Sequence, residues 1–122
     1  MKFDPAPYAA GIRELNRRES ERIESRLELA RVESGRLAAA IVAADPAVRR
    51  VFLFGSVANG RPSREDFDID LAIDGGDAYA AMEVVETSAF DVDIVELGLL
   101  PPAARELVLE RGQLLAIQGP AQ

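Results

Sequence analysis

The stretch Val51-Phe-Leu-Phe-Gly55-Ser56, a loop, then Asp68-Ile-Asp70-Leu-Ala-Ile73 constrains this chain more than any other part of it. It reads as an apolar strand, a Gly-Ser turn, a loop and a second strand. On the second strand Phe67, Ile69, Leu71 and Ile73 alternate with Asp68, Asp70, Ala72 and Asp74, which predicts one buried face and one face carrying carboxylates. Side chains two apart on a strand share a face, about 6.6 Å apart. Magnesium takes carboxylate oxygens at roughly 2.0–2.1 Å, usually through one or two carboxylates plus phosphates. Asp68 and Asp70 can therefore both reach an ion lying between them. Gly55-Ser56 ends the preceding strand, where free backbone N–H groups and a hydroxyl can face a phosphate.

The segments on either side supply the rest of an α/β unit. From Tyr8 to about Ala44 the chain is rich in Arg, Glu, Leu and Ala, with Tyr8, Ile12, Leu15, Ile23, Leu27, Ala30, Leu37 and Ile41 at helical spacing. Asn16 to Arg22 is polar all round, and Gly35 costs roughly 1 kcal/mol relative to Ala inside a helix. The expectation is one long helix or two helices broken near Ser34-Gly35. Asp45-Pro46 ends it, because the residue before proline disfavours the helical region. Val48–Phe54 and Asp68–Asp74 are the first two strands, with one short helical turn expected after Ser56. Gly75-Gly76 is a turn, and Asp77 is the N-cap of a helix through about Val85. Phe90–Leu97 is a third strand, with Asp91, Asp93 and Val95 on one face. Pro101-Pro102 precedes a helix from Ala103 to about Arg111, Gly112 stops it, and Gln113–Ile117 forms a short edge strand. The expected fold is α/β (α+β): a small mixed sheet of three to four strands with helices, behind a long N-terminal helix. Residues 1–35 are expected to be a helical extension and residues 36–122 the main domain.

Composition narrows the chemistry. The chain has no cysteine and no histidine, which removes thiolate sites, His-ligated zinc and a histidine general base. Any metal must be held by oxygen, which favours magnesium, manganese or calcium. Residues 1–50 carry +2 and residues 51–122 carry −9 of the net −7. An acidic body argues against binding a nucleic-acid backbone, which takes clustered Lys and Arg. It suits a cation site or a basic protein partner. No run of about 18 apolar residues exists, and the N-terminus lacks a signal-peptide core. The expected location is the cytoplasm, with no membrane contact.

Asp93 completes the chemistry. Neighbouring strands lie about 4.8 Å apart. If strand 68–74 pairs with strand 91–97, Asp93 projects beside Asp68 and Asp70. Left uncompensated, three carboxylates there cost several kcal/mol per ion in repulsion and desolvation; one or two divalent cations remove that cost. A phosphate-cradling turn beside such a cluster is what phosphoryl or nucleotidyl transfer needs.

These residues resemble a known family. Phe54-Gly55-Ser56 followed by Asp68-Ile-Asp70-Leu looks like the Gly-Ser…Asp-x-Asp pattern of the DNA polymerase β-like nucleotidyltransferase superfamily. Val92-Asp93-Ile-Val-Glu-Leu looks like its third-carboxylate strand. Arg105 to Leu115 resembles the closing helix and strand of the minimal nucleotidyltransferase (MNT) group. The resemblance covers about residues 36–117. It implies that Asp68, Asp70 and Asp93 are catalytic and bind Mg2+, that Asp93 helps to deprotonate the acceptor, and that Gly55 and Ser56 hold the nucleotide phosphates. It implies transfer of AMP from ATP to a hydroxyl with release of pyrophosphate. It also implies an antitoxin role, with a helical HEPN-type ribonuclease toxin as the partner and a tyrosine as an acceptor. Three positions depart from the pattern: Val57 and Asn59 stand where basic residues are frequent, and Phe67 stands where a serine is frequent. Each missing exposed charge contact is worth up to about 1 kcal/mol, and Arg61 or Arg64 in the loop are the candidates to replace it.

Two further readings compete with a protein-modifying transferase. One is a binding module of this fold that neutralises its partner by contact alone. The other is a transferase acting on an antibiotic or another small molecule, which needs an acceptor-binding region that only about 25 residues after Glu96 must supply. The narrow apolar stripe of the first helix, flanked by Glu and Arg, is a pairing surface for a partner or a second copy, or else an exposed helix held by charge pairs.

Overall fold

The computed structural model describes residues 4–62 and 64–120. Helix α1, Ala6–Ala44, is continuous through Ser34-Gly35. At about 1.5 Å per residue it is close to 58 Å long. Its C-terminal half is anchored by Leu27, Ala30, Ser34, Leu37, Ala38 and Ile41, all buried. Those contacts outweigh the cost of Gly35, so the break that the sequence allows does not form. The Ser34 hydroxyl, buried among them, donates to the Ala30 carbonyl oxygen at 2.7 Å. The N-terminal half is different: Ile12 and Leu15 are 58% and 64% exposed.

Asp45-Pro46 then turns the chain, with Val48 N–H donating to the Asp45 carbonyl. The strands are shorter than their apolar runs suggest. β1 is Arg50–Phe54, β2 is Ile69–Asp74, β3 is Val92–Glu96 and β4 is Gln113–Ile117. Val48 is spent on the buried turn out of α1, Asp68 lies just outside β2, and Leu97–Leu99 winds into a 3-10 turn after β3. Between the strands lie α2 (Gly55–Asn59), α3 (Ala78–Val85) and α4 (Pro102–Arg111). Asp77 caps α3 by accepting from Tyr79 N–H at 3.0 Å. Pro102 opens α4 one residue before the expected start, at a position where its missing N–H costs nothing.

The sheet order is β3-β2-β1-β4. β1 is antiparallel to both β2 and β4, and β2 is parallel to β3. The alternation of β2 sorts its two faces as expected. Ile69, Leu71 and Ile73 join Val51, Leu53 and the α1 residues in the main core. On the opposite face Phe52, Ala72, Leu97 and Val108 form a smaller cluster. The acidic end of β2 therefore lies on the α4 face, away from α1. At the other end of β2, Asp74 accepts from both Arg49 and Arg50 at 2.8 Å. Gln118 ties the chain after β4 to the end of α1, its Nε2 donating to the Val42, Asp45 and Val48 carbonyls. Among the described residues no helix is long and apolar enough to cross a membrane.

Candidate active site

Asp70 is the centre of the site, because β2 lies between β1 and β3. Its register partner on one side is Phe54, the last residue of β1; on the other it is Asp93 of β3. Directly opposite residues of paired strands share a face, so Asp70 and Asp93 project together. Asp68, two residues earlier and just before the strand, is exposed, and its charge acts on Asp70. Asp70 is itself half-buried. Burial, then the charges of Asp93 and Asp68, push its carboxyl from the ordinary 3.8 up to about 6. Asp70 thus feels the charges of both other carboxylates singled out from the sequence.

The turn that follows β1 closes against the same carboxylate. Gly55 has φ +74°, and a Cβ at that position would run into the Asp70 side chain. Only glycine combines that backbone with that approach. The chain then winds through α2, whose Val57 is fully buried in the main core. Gly60, in the left-handed region, ends it, its N–H reaching the Ser56 and Val57 carbonyls.

Two clefts flank the turn. One, of about 320 Å³, is lined by Ser56, Arg61, Arg64, Phe67 and Asp68 among others. The second, of about 230 Å³, lies between Phe54, Gly55 and Asn59 on one wall and Leu107, Val108 and Arg111 of α4 on the other. The approach of Arg111 to Gly55 has no local signal in the sequence; it exists because α4 folds back over the end of β1. A wider hollow of about 560 Å³, between Tyr79 and Met82 of α3 and Phe90 and Val92 at the β3 edge, holds none of the three carboxylates.

The donor chemistry fits a hard divalent cation. The cluster is all carboxylate, the chain has no cysteine or histidine to offer, and the raised Asp70 carboxyl registers the unfavourable crowding of negative charge that a cation would relieve. Among the described residues no three acidic side chains are already gathered at ligand distance, so a cation would have to draw the trio inward.

Comparison with known proteins follows the same lines. Residues 36–115 match the family model of the nucleotidyltransferase domain. A toxin–antitoxin crystal structure determined with AMP-PNP contains a chain 25% identical to this one, with a TM-score of 0.53 over 64% of this chain and 68% of that one. A mutant of the toxin–antitoxin pair MntA–HpeT contains a chain 19% identical, with a TM-score of 0.55 over 68% and 71%, and shares the fold. No curated protein matches the sequence. A family match over that span, on a sheet that sets a glycine turn against cross-strand carboxylates, makes this chain a member of the nucleotidyltransferase domain family.

Proposed function

We propose that this chain is the antitoxin of a toxin–antitoxin pair and transfers AMP from ATP to a hydroxyl of its partner, a helical HEPN-type toxin. The observation that carries the reading is the pairing of Asp70 with Asp93 across β2 and β3, with Gly55 packed against Asp70. The similarity to a toxin–antitoxin chain crystallised with AMP-PNP supports both the nucleotide and the partner. ATP and a protein toxin meet in the cytoplasm, which is where we place the reaction.

The chain's own groups have distinct tasks in this scheme. Gly55 and Ser56 hold the phosphates at the end of β1. Asp68, Asp70 and Asp93 would hold Mg2+, which when bound supplies Lewis-acid polarisation of the phosphate oxygens. Asp93 takes the proton of the acceptor hydroxyl as its oxygen bonds to the α-phosphorus. The bond from that phosphorus to the bridging oxygen breaks, and pyrophosphate leaves with the electron pair. A tyrosine hydroxyl of the toxin is the acceptor.

Intact-mass spectrometry tests this. The protein encoded by the neighbouring gene is co-expressed with this chain or with its Asp68→Asn/Asp70→Asn variant. The expected result is a gain of one or more AMP masses with the unmutated chain only. An unmodified partner that copurifies with both versions would sink the transfer reading. It would leave a contact-only binding module, which the absence of any cation on α2 (Gly55-Ser-Val-Ala-Asn59) favours as the second reading.

The N-terminal half of α1 is proposed as a pairing surface for a second copy. Ile12 and Leu15 are exposed there, on the stripe that continues the face buried farther along the helix. Charge pairs such as Arg17 with Glu14 and Glu21 stiffen it. Light scattering on the isolated chain is expected to give a dimer, and Ile12→Asp with Leu15→Asp a monomer of unchanged fold. A monomeric parent chain would reassign the stripe to the partner protein.

A further inference from the structure

We infer that Arg61, the first residue after the α2 cap, is the cation that receives the phosphate tail of the nucleotide. This rests on the nucleotide-binding reading above. The acidic body, residues 51–122, has four cations to meet a polyanion beside three carboxylates: Arg61, Arg64, Arg105 and Arg111.

Three of the four are engaged elsewhere or face the wrong lining. Arg64 is paired with Asp66, Nε to carboxylate oxygen at 3.2 Å, in the same loop. Arg105 donates from Nη2 to the Leu100 carbonyl at 3.2 Å. Arg111 stands at the smaller cleft, which reaches Gly55 and Asn59 but holds neither Ser56 nor any of the three carboxylates. On α1, Arg31 lies against Gly60 but does not line the larger cleft.

Arg61 meets each requirement. It is exposed and has no carboxylate partner among the described residues. It lines the 320 Å³ cleft together with Ser56 and Asp68, the two groups assigned to the phosphates and the cation. Its backbone N–H donates to the Ser56 carbonyl at 3.2 Å, so its Cα is tied to the turn that it serves. Gly60, with φ +69°, reverses the chain after α2 and brings residue 61 back to Ser56. Within α2, Val57 is committed to the core and Ala58 and Asn59 carry no charge. The positive charge comes from the residue just beyond the helix cap. A guanidinium there can bind phosphate oxygens through two parallel N–H bonds, which a lone ammonium cannot do.

The test is calorimetric titration of the full chain with AMP-PNP and Mg2+, and with adenosine. The expected result is that Arg61→Gln weakens AMP-PNP binding roughly tenfold with adenosine binding unchanged, that Arg61→Lys recovers part of the loss, and that Arg64→Gln changes affinity by less than about threefold because Asp66 already engages its guanidinium. If the unmutated chain binds AMP-PNP and Arg61→Gln binds it equally well, the Arg61 assignment falls and the nucleotide reading stands. Equal losses in Arg61→Gln and Arg64→Gln would reduce the effect to net charge and also overturn it. If the unmutated chain does not bind AMP-PNP, the nucleotide reading itself falls.

Discussion

Asp70→Asn is expected to lower nucleotidyl transfer by about three orders of magnitude while making the cation-free protein more stable at neutral pH. Both effects come from the same crowding. Asp70 sits between Gly55 and Asp93, and burial together with the charges of Asp93 and Asp68 raises its carboxyl to about 6. The unfolded chain loses that proton near the ordinary 3.8. Between those values the folded state holds more protons than the unfolded one, so stability falls as pH rises through that window and stays lower above it. Asparagine carries no charge to desolvate. The variant's advantage should therefore be small at pH 4 and complete above about pH 6.5, on the order of 1–2 kcal/mol once solvent screening is allowed for. Thermal melts of both proteins in EDTA at pH 4 and pH 7.5 measure it. A variant that melts below the parent at pH 7.5 would mean that Asp70 is held by partners rather than crowded by charges.

Gly55→Ala is expected to be the most damaging single substitution at the turn. An alanine at φ +74° costs roughly 1–2 kcal/mol in backbone strain. Its methyl group would also be forced onto the Asp70 carboxylate, which must swing away or push the turn off the end of β1. Together these should remove about 2–4 kcal/mol of stability and abolish AMP-PNP binding. Urea midpoints read the first effect and calorimetry the second. A double-mutant cycle separates the causes. In an Asp70→Ala background the carboxylate is gone, so only the backbone part of the Gly55→Ala loss should remain. If the two losses simply add, the contact between residue 55 and Asp70 is not what makes glycine necessary.

Different elements were legible in the sequence to different degrees. The alternation of β2 assigned Ile69, Leu71 and Ile73 to the core and left Asp70 on the other face, and the structure has that arrangement, with Asp68 just outside the strand. Asp77 before α3 and Pro102 at the start of α4 marked their helices by local capping chemistry. Strand ends were less legible. Val48, Phe90 and Leu97 continue the apolar pattern but pack in turns, because burial and strand pairing are separate demands and an apolar side chain satisfies only the first. The continuity of α1 was undecidable locally, since a cost of roughly 1 kcal/mol at Gly35 is smaller than the burial of Leu37 and Ile41 that holds it.

The sequence by itself determined the all-oxygen donor set, the carboxylate face of β2 and the glycine turn before it. Each depends on residue identity or on periodicity within a few positions, which backbone geometry converts directly into direction. Only the tertiary structure decided that Asp93 stands opposite Asp70, that Gly55 closes on the Asp70 carboxylate, and that Arg64 is paired with Asp66 while Arg61 has no carboxylate partner among the described residues. The first two follow from the parallel register of β2 with β3 and from the reversal between β1 and β2, and the third from how one loop folds on itself. Those relations are set by how the whole chain buries its apolar faces together, and no local window of residues contains that balance.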